Sequence, residues 1–94
     1  MLTKKEAARL GIAACADKLG RSFVKKYAES SSSAYGEVDG KMYCFVGVED
    51  HPEKYRQDGP VVLDDNSRFP YRASCYVSRK GEITFNELVL PDVQ

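Results

Sequence analysis

FPYRASCYVSRKGEITFNELVL, residues 69–90, decides the fold, because it reads as a β-hairpin whose register follows from its side chains. Tyr71, Ala73, Cys75 and Val77 alternate with Arg72, Ser74, Tyr76 and Ser78, the period-2 pattern of a half-buried strand. Ile83, Phe85 and Val89 alternate with Thr84, Asn86 and Leu88 beyond Arg79-Lys80-Gly81. A two-residue turn at Lys80-Gly81 would set Val77 against Thr84 and Cys75 against Asn86. A three-residue loop with Gly81 in the left-handed conformation sets Val77 against Ile83 and Cys75 against Phe85. The second register keeps both apolar sets on one face, and a one-residue slip would expose one of them. It also places Glu87 on that apolar face, opposite Ala73.

The chain around this hairpin has 94 residues, enough for one domain with a modest core, taken as residues 1–94. A hydrophobic content of 43% with 30% charged residues matches a globular protein and not a disordered one. No apolar run approaches the roughly 20 residues needed to cross a bilayer. The net charge is zero but uneven. Residues 1–26 carry seven basic side chains against Glu6 and Asp17, and residues 27–67 carry three against nine acids. An isoelectric point near 6.6, with no aromatics interleaved among the basic residues, argues against nucleic acid as a partner.

Cys15, Cys44 and Cys75 are dispersed and odd in number, which fits a reducing compartment better than a disulfide framework. Each falls at a position of apolar pattern, so each reads as a small core residue; a Cys44–Cys75 bridge is the alternative. Ile12-Ala13-Ala14-Cys15 has the look of a lipidation site, but Glu6 and Arg9 interrupt the apolar run such a signal needs. The expected location is cytoplasmic, with no membrane partner.

Thr3-Lys4-Lys5-Glu6 is a capping box, and Ala8, Ile12, Cys15 and Leu19 follow at helical spacing, with Leu10 and Ala16 widening the stripe. Gly20 is a natural stop, so a helix is predicted over Lys4–Leu19. Its alanines make a shallow inner face suited to lying close on a sheet. Phe23, Val24, Tyr27 and Ala28 predict a shorter helix over about Ser22–Glu29, ended by a loop at Ser30-Ser31-Ser32-Ser33. Val38-Asp39-Gly40-Lys41 carries the Asp-Gly hairpin signal between a short strand at Ala34–Val38 and a longer one at Met42–Val48. The longer strand has Met42, Cys44, Val46 and Val48 on one face, with Tyr43 and Phe45 on the other. Residues 49–68 read as irregular: helical turns after Asp50-His51-Pro52, then the apolar run Val61-Val62-Leu63, then a turn.

Reactive chemistry has few candidates. His51 is the single histidine, and with Glu49, Asp50 and Glu53 it matches neither a calcium loop nor a zinc spacing. No nucleophile elbow or phosphate loop is present. No catalytic, cofactor-binding or metal residue is therefore assigned, and the reading is of a non-enzymatic protein without a cofactor. Two places remain. A candidate interaction surface on the outer sheet face comprises Tyr43, Phe45, Arg72, Tyr76 and Leu88, an aromatic patch with an arginine. A lid formed by Val61–Leu63 is the competing use of that face. A candidate cleft between helix and sheet would contain Tyr71 and an inward Glu87, whose burial would raise its pKa or demand a cation.

A helix followed by an antiparallel meander resembles the cystatin-like layout shared by cystatins, PepSY-type domains and NTF2-like proteins. The Q-x-V-x-G loop of cystatin inhibitors is missing, so the resemblance implies no inhibitor role. Ser31-Ser32-Ser33-Ala34-Tyr35-Gly36, Cys44-Phe45-Val46-Gly47-Val48 and Phe69-Pro70-Tyr71-Arg72 are also similar to stretches of small bacterial proteins of no established activity.

The expected architecture is α+β. An N-terminal helix, with a short second helix, packs on one face of a three- or four-stranded antiparallel sheet. The expected core is Leu10, Ile12, Cys15, Leu19, Phe23, Met42, Cys44, Val46, Cys75, Val77, Ile83, Phe85 and Val89. The expected function is protein binding, with another protein or a second copy as partner, through the outer face or a free edge. Small-ligand binding or weak catalysis at the cleft near Glu87 is the alternative.

Overall fold

The capping box forms as read: the Glu6 amide donates to the Thr3 hydroxyl at 3.1 Å and the Thr3 amide to the Glu6 carboxylate at 2.8 Å. From there the computed structural model, which describes residues 1–49 and 69–91, runs in chain order. Helix α1 spans Lys4–Leu19 and α2 spans Arg21–Lys26, followed by a 3-10 turn at Ala28–Ser30. Strands β1 (Ser31–Val38), β2 (Lys41–Val48), β3 (Tyr71–Val77) and β4 (Ile83–Val89) follow. They form one antiparallel sheet in the order β1-β2-β3-β4, with α1 lying across β2 and β3. This is the α+β layout expected. The helical turns placed after Asp50, the Val61–Leu63 lid, and His51 with Asp50 and Glu53 lie outside the described residues.

Gly20 ends α1 with φ 99°, and its N–H donates to the Ala16 carbonyl at 2.9 Å, the left-handed stop its position called for. The second helix is shorter than expected. Phe23 and Tyr27 bring their rings to 5.2 Å at its end, and Phe23 meets Tyr71 of β3 edge-on at 5.3 Å. The serines at 31–33 are strand and not loop, because β2 supplies Val46, Gly47 and Val48 as their ladder partners. Serine's weak β-propensity yields to a partner strand already held by the core.

Between β1 and β2, Asp39 (φ 50°) and Gly40 (φ 78°) both take positive φ, as the two-residue hairpin requires. Between β3 and β4 the three-residue loop is present. Gly81 has φ 91°, its N–H donates to the Ser78 carbonyl, and the Ser78 N–H donates to the Glu82 carbonyl, both at 2.9 Å. Val77 pairs with Ile83 and Cys75 with Phe85, as the apolar pattern dictated.

The core lies between α1 and the inner sheet face. Ala7, Ala8, Cys15 and Leu19 of α1 meet Met42, Cys44, Val46 and Val48 of β2 and Ala73, Cys75 and Val77 of β3. Leu10, expected in this core, is 40% exposed; its δ-carbon comes near Gly81 at the hairpin loop. Gly11 takes the central contact position instead, because only a residue without a side chain fits there. A β-carbon on it would stand 2.3 Å from Cys44 Sγ and 2.8 Å from Val77 Cγ2. Helix and sheet approach more closely than a leucine stripe would allow.

Candidate functional site

A bulge in β4 redraws both candidate sites. Beyond the Cys75–Phe85 pair the register shifts, so that Ser74 pairs with Glu87, Ala73 with Leu88 and Arg72 with Val89. Asn86 is the extra residue. The bulge keeps Asn86 and Glu87 both on the Ser74 side of the sheet, where Asn86 Nδ2 donates to Ser74 Oγ at 3.2 Å. Three expectations change together. Glu87 faces outward, Leu88 stands opposite Ala73 on the helix side with 40% exposure, and Val89 leaves the core for the side of Arg72. Strict alternation fails here because an inward Glu87 would need desolvation, whereas one inserted residue hands it to an arginine.

The outward Glu87 closes a two-pronged clamp. Arg72 Nε donates to Oε1 at 2.9 Å and Nη2 to Oε2 at 3.3 Å, while Nη1 donates to the Phe69 carbonyl at 3.0 Å. The guanidinium thus ties the chain entering β3 to the bulge of β4. These bonds, with the positive charge beside them, hold the Glu87 carboxyl below its ordinary range. Glu87 is 43% exposed, so water screens much of this attraction. With the folded-state pKa lowered, the contribution is complete above the unfolded pKa of about 4.3 and fades as pH falls through the folded value. Glu87→Gln is therefore expected to lower stability at neutral pH by under about 1 kcal/mol. The gap to wild type should close as urea titrations are repeated at acid pH. A gap that persists in acid would remove the ion pair as its cause.

Tyr71 does not join Glu87 in a cleft. It pairs with Val48 on the helix side and packs against Phe23, while Glu87 sits on the opposite face. The outer face keeps four of its five expected members. Tyr43 and Tyr76 are cross-strand partners with ring centroids 5.3 Å apart, both half-buried. Phe45 meets Phe69 edge-on at 5.7 Å, and Phe69 lies on Gly47, where an added β-carbon would fall 2.5 Å from its ring. Arg72 stands beyond them, and Leu88 has crossed to the other side.

The helix side holds an arrangement the separate cysteine positions did not disclose. Cys44 and Cys75 are direct cross-strand partners, and Cys15 comes down on them from α1, with Cys15 Sγ 3.6 Å from Cys75 Sγ. The strand thiols donate to helix carbonyls, Cys75 to Gly11 at 3.6 Å and Cys44 to Ala8 at 3.7 Å. Burial pushes all three pKa values up, that of Cys44 to about 11. Protonated and sealed from water, these thiols are packing groups and not nucleophiles. The visible signal was that each cysteine falls on the apolar face of its element. Among the described residues, no three ligand side chains gather in a way that holds a metal, and no helix is long and apolar enough to cross a membrane.

Two further surfaces are open. A pocket of about 260 Å³ lies at the turn end, walled by Leu2, Lys4, Glu37, Met42, Val77 and Arg79. Lys4 and Glu37 pair across it at 3.5 Å. The second is the rim of β1. Tyr35 pairs with Cys44 and so stands on the helix side, yet α1 covers β2 and β3 and leaves it 58% exposed. Comparison with protein families, with curated proteins and with solved structures finds no match to this chain.

Proposed function

We propose that this chain is a small non-enzymatic module that works by protein contact through its sheet. The observation that carries this reading is β1, an eight-residue strand at the sheet's rim, exposed along most of its length. The groups that invited chemistry have structural employment: the Cys44 and Cys75 thiols bond to α1 carbonyls, and Arg72 and Glu87 hold each other. What the sheet offers a partner is its main chain at β1, with Tyr35 beside it, and the Tyr43–Tyr76 ring pair on the outer face. Strand addition at a rim and aromatic contact at a face are both established routes of protein recognition. The helix-then-meander order supports a kinship of layout with cystatin-like proteins and carries no activity with it.

The test is photocross-linking in cells that produce the chain, with a benzophenone side chain at position 35, 76 or 25. Adducts with a protein identified by mass spectrometry are expected at 35 or 76, and none at Lys25 on α2. Absence of adducts at both sheet positions would overturn the reading.

A further inference from the structure

The two rims of the sheet are built differently. The β4 rim is broken by its bulge at Asn86–Glu87, a common device against unwanted pairing. The β1 rim has no such guard. Ser31–Val38 contains no proline, lysine or bulge, and all eight residues keep unbroken register with β2. Its one charge, Glu37, is held by Lys4 of its own helix at 3.5 Å. Among the described residues no strand pairs with this rim; only its first residue is tied back, the Ser31 N–H donating to the Ala28 carbonyl.

The ladder shows which backbone groups the rim presents. The Glu49 N–H donates to the Ser30 carbonyl at 2.9 Å, one step beyond the Ser31–Val48 pair. Antiparallel strands bond at alternate residues, so even-numbered residues of this strand bond inward to β2. The rim therefore presents the N–H and C=O of Ser33, Tyr35 and Glu37 and the C=O of Ser31, whose N–H is taken by Ala28. The tight turn agrees, since Val38 and Lys41, which close it, must bond to each other.

We propose that β1 pairs antiparallel with β1 of a second copy about a two-fold axis through Ala34, joining the two sheets into one. This rests on the reading that the chain works by protein contact, and names its partner. The length of the strand and its side chains choose the register. With the axis at Ala34, Ser33 and the partner's Tyr35 exchange both bonds, and the Ser31 carbonyl accepts from the partner's Glu37 N–H, leaving the Glu37 carbonyl at each end to solvent. An axis at Tyr35 would oppose Ser31 to the partner's turn residue Asp39 and stack Tyr35 directly on its own copy, and an axis at Ser33 would carry Glu37 past the partner's strand. At the Ala34 axis no like charges oppose each other.

The side chains fit the same register. Ala34 meets its own copy in a non-bonded pair, where α-carbons come within about 4.5 Å and a small residue suits best. The two Tyr35 rings become diagonal neighbours at about 7–8 Å, within reach of aromatic side chains. They occupy the space that α1 leaves open above β1. A strand pair of this length falls toward the low end of interface size, below the roughly 1,600 Å² of a standard complex, so a reversible dimer is expected and not an obligate one.

The test is a charge swap at the axis. Ala34 is exposed, so Ala34→Lys and Ala34→Glu should fold as the wild type does, which thermal melts verify. Sedimentation equilibrium of the wild type should show a monomer–dimer equilibrium. Each variant alone should dimerise more weakly by about tenfold or more, and an equimolar mixture should regain the dimer, because opposite charges then meet at the axis. A wild type that stays monomeric at all accessible concentrations overturns the proposal. So does a dimer untouched by both variants. If Tyr76→Glu abolishes that dimer, contact through the outer face stands and only the β1 assignment falls. If the wild type is monomeric and positions 35 and 76 also yield no cross-linked protein, the contact reading falls with it.

Discussion

Gly11→Ala is expected to destabilise the protein by about 2 kcal/mol, against the ordinary preference of helices for alanine. In an exposed helix interior the exchange would gain up to about 1 kcal/mol. Here the new methyl would lie 2.3 Å from Cys44 Sγ, 2.8 Å from Val77 Cγ2 and 2.9 Å from Cys44 Cβ. No rotamer change relieves all three, since one is a β-carbon fixed to the backbone of β2. The helix must lift, which also lengthens the bonds from Cys44 to Ala8 and from Cys75 to Gly11. Overpacking of this kind costs typically 1–3 kcal/mol, about the size of a severe clash, and it outweighs propensity. Urea unfolding should show a lower midpoint with unchanged slope. In a Cys44→Ala background the penalty should shrink, because the nearest obstructing atom is gone. A Gly11→Ala variant as stable as the wild type would mean that α1 stands farther from the sheet than described. Gly36→Ala provides the contrast: its β-carbon would meet nothing within 4 Å.

Leu19→Ala should have the larger cost, about 3 kcal/mol, within the range for a buried leucine that leaves a cavity. Leu19 is 1% exposed and is the only large side chain that α1 buries completely, since its other buried residues are Ala7, Ala8, Gly11 and Cys15. A domain of this size has about 5–15 kcal/mol in all, so the loss is a large part of the whole. Leu10→Ala, on the same helix but 40% exposed, should cost under about 1 kcal/mol. Equal effects from the two leucines would show that the burial asymmetry along α1 is not as described.

Much of the fold was legible because it is written in short-range pattern. The capping box and Gly20 bracket α1, Asp39-Gly40 joins β1 to β2, and the apolar alternation around Arg79-Lys80-Gly81 selects the three-residue loop. Each is local physics: satisfied amides, positive φ, and side chains that must share a face. The outer aromatic pair was legible for the same reason, as Tyr43 and Tyr76 fall at matching positions of adjacent strands.

The candidate cleft was misread because one residue of slippage is invisible to alternation. Nothing in Phe85-Asn86-Glu87-Leu88 marks a bulge. The insertion is favoured only when Arg72, two positions beyond Ser74 on the neighbouring strand, stands ready to receive Glu87. Leu10 and Gly11 were misread in the same way: periodicity marks the apolar stripe, but the distance between helix and sheet decides which of its members can sit at the centre.

By itself, the sequence determined α1, both hairpin turns and the register of the first pairs of the second hairpin, all set by interactions within a few residues. Tertiary structure alone decided that three distant thiols converge, that Glu87 turns outward, and that among the described strands β1 is left at the rim of the sheet. Those outcomes depend on which strand lies beside which and how closely α1 approaches, and close packing makes such choices collectively.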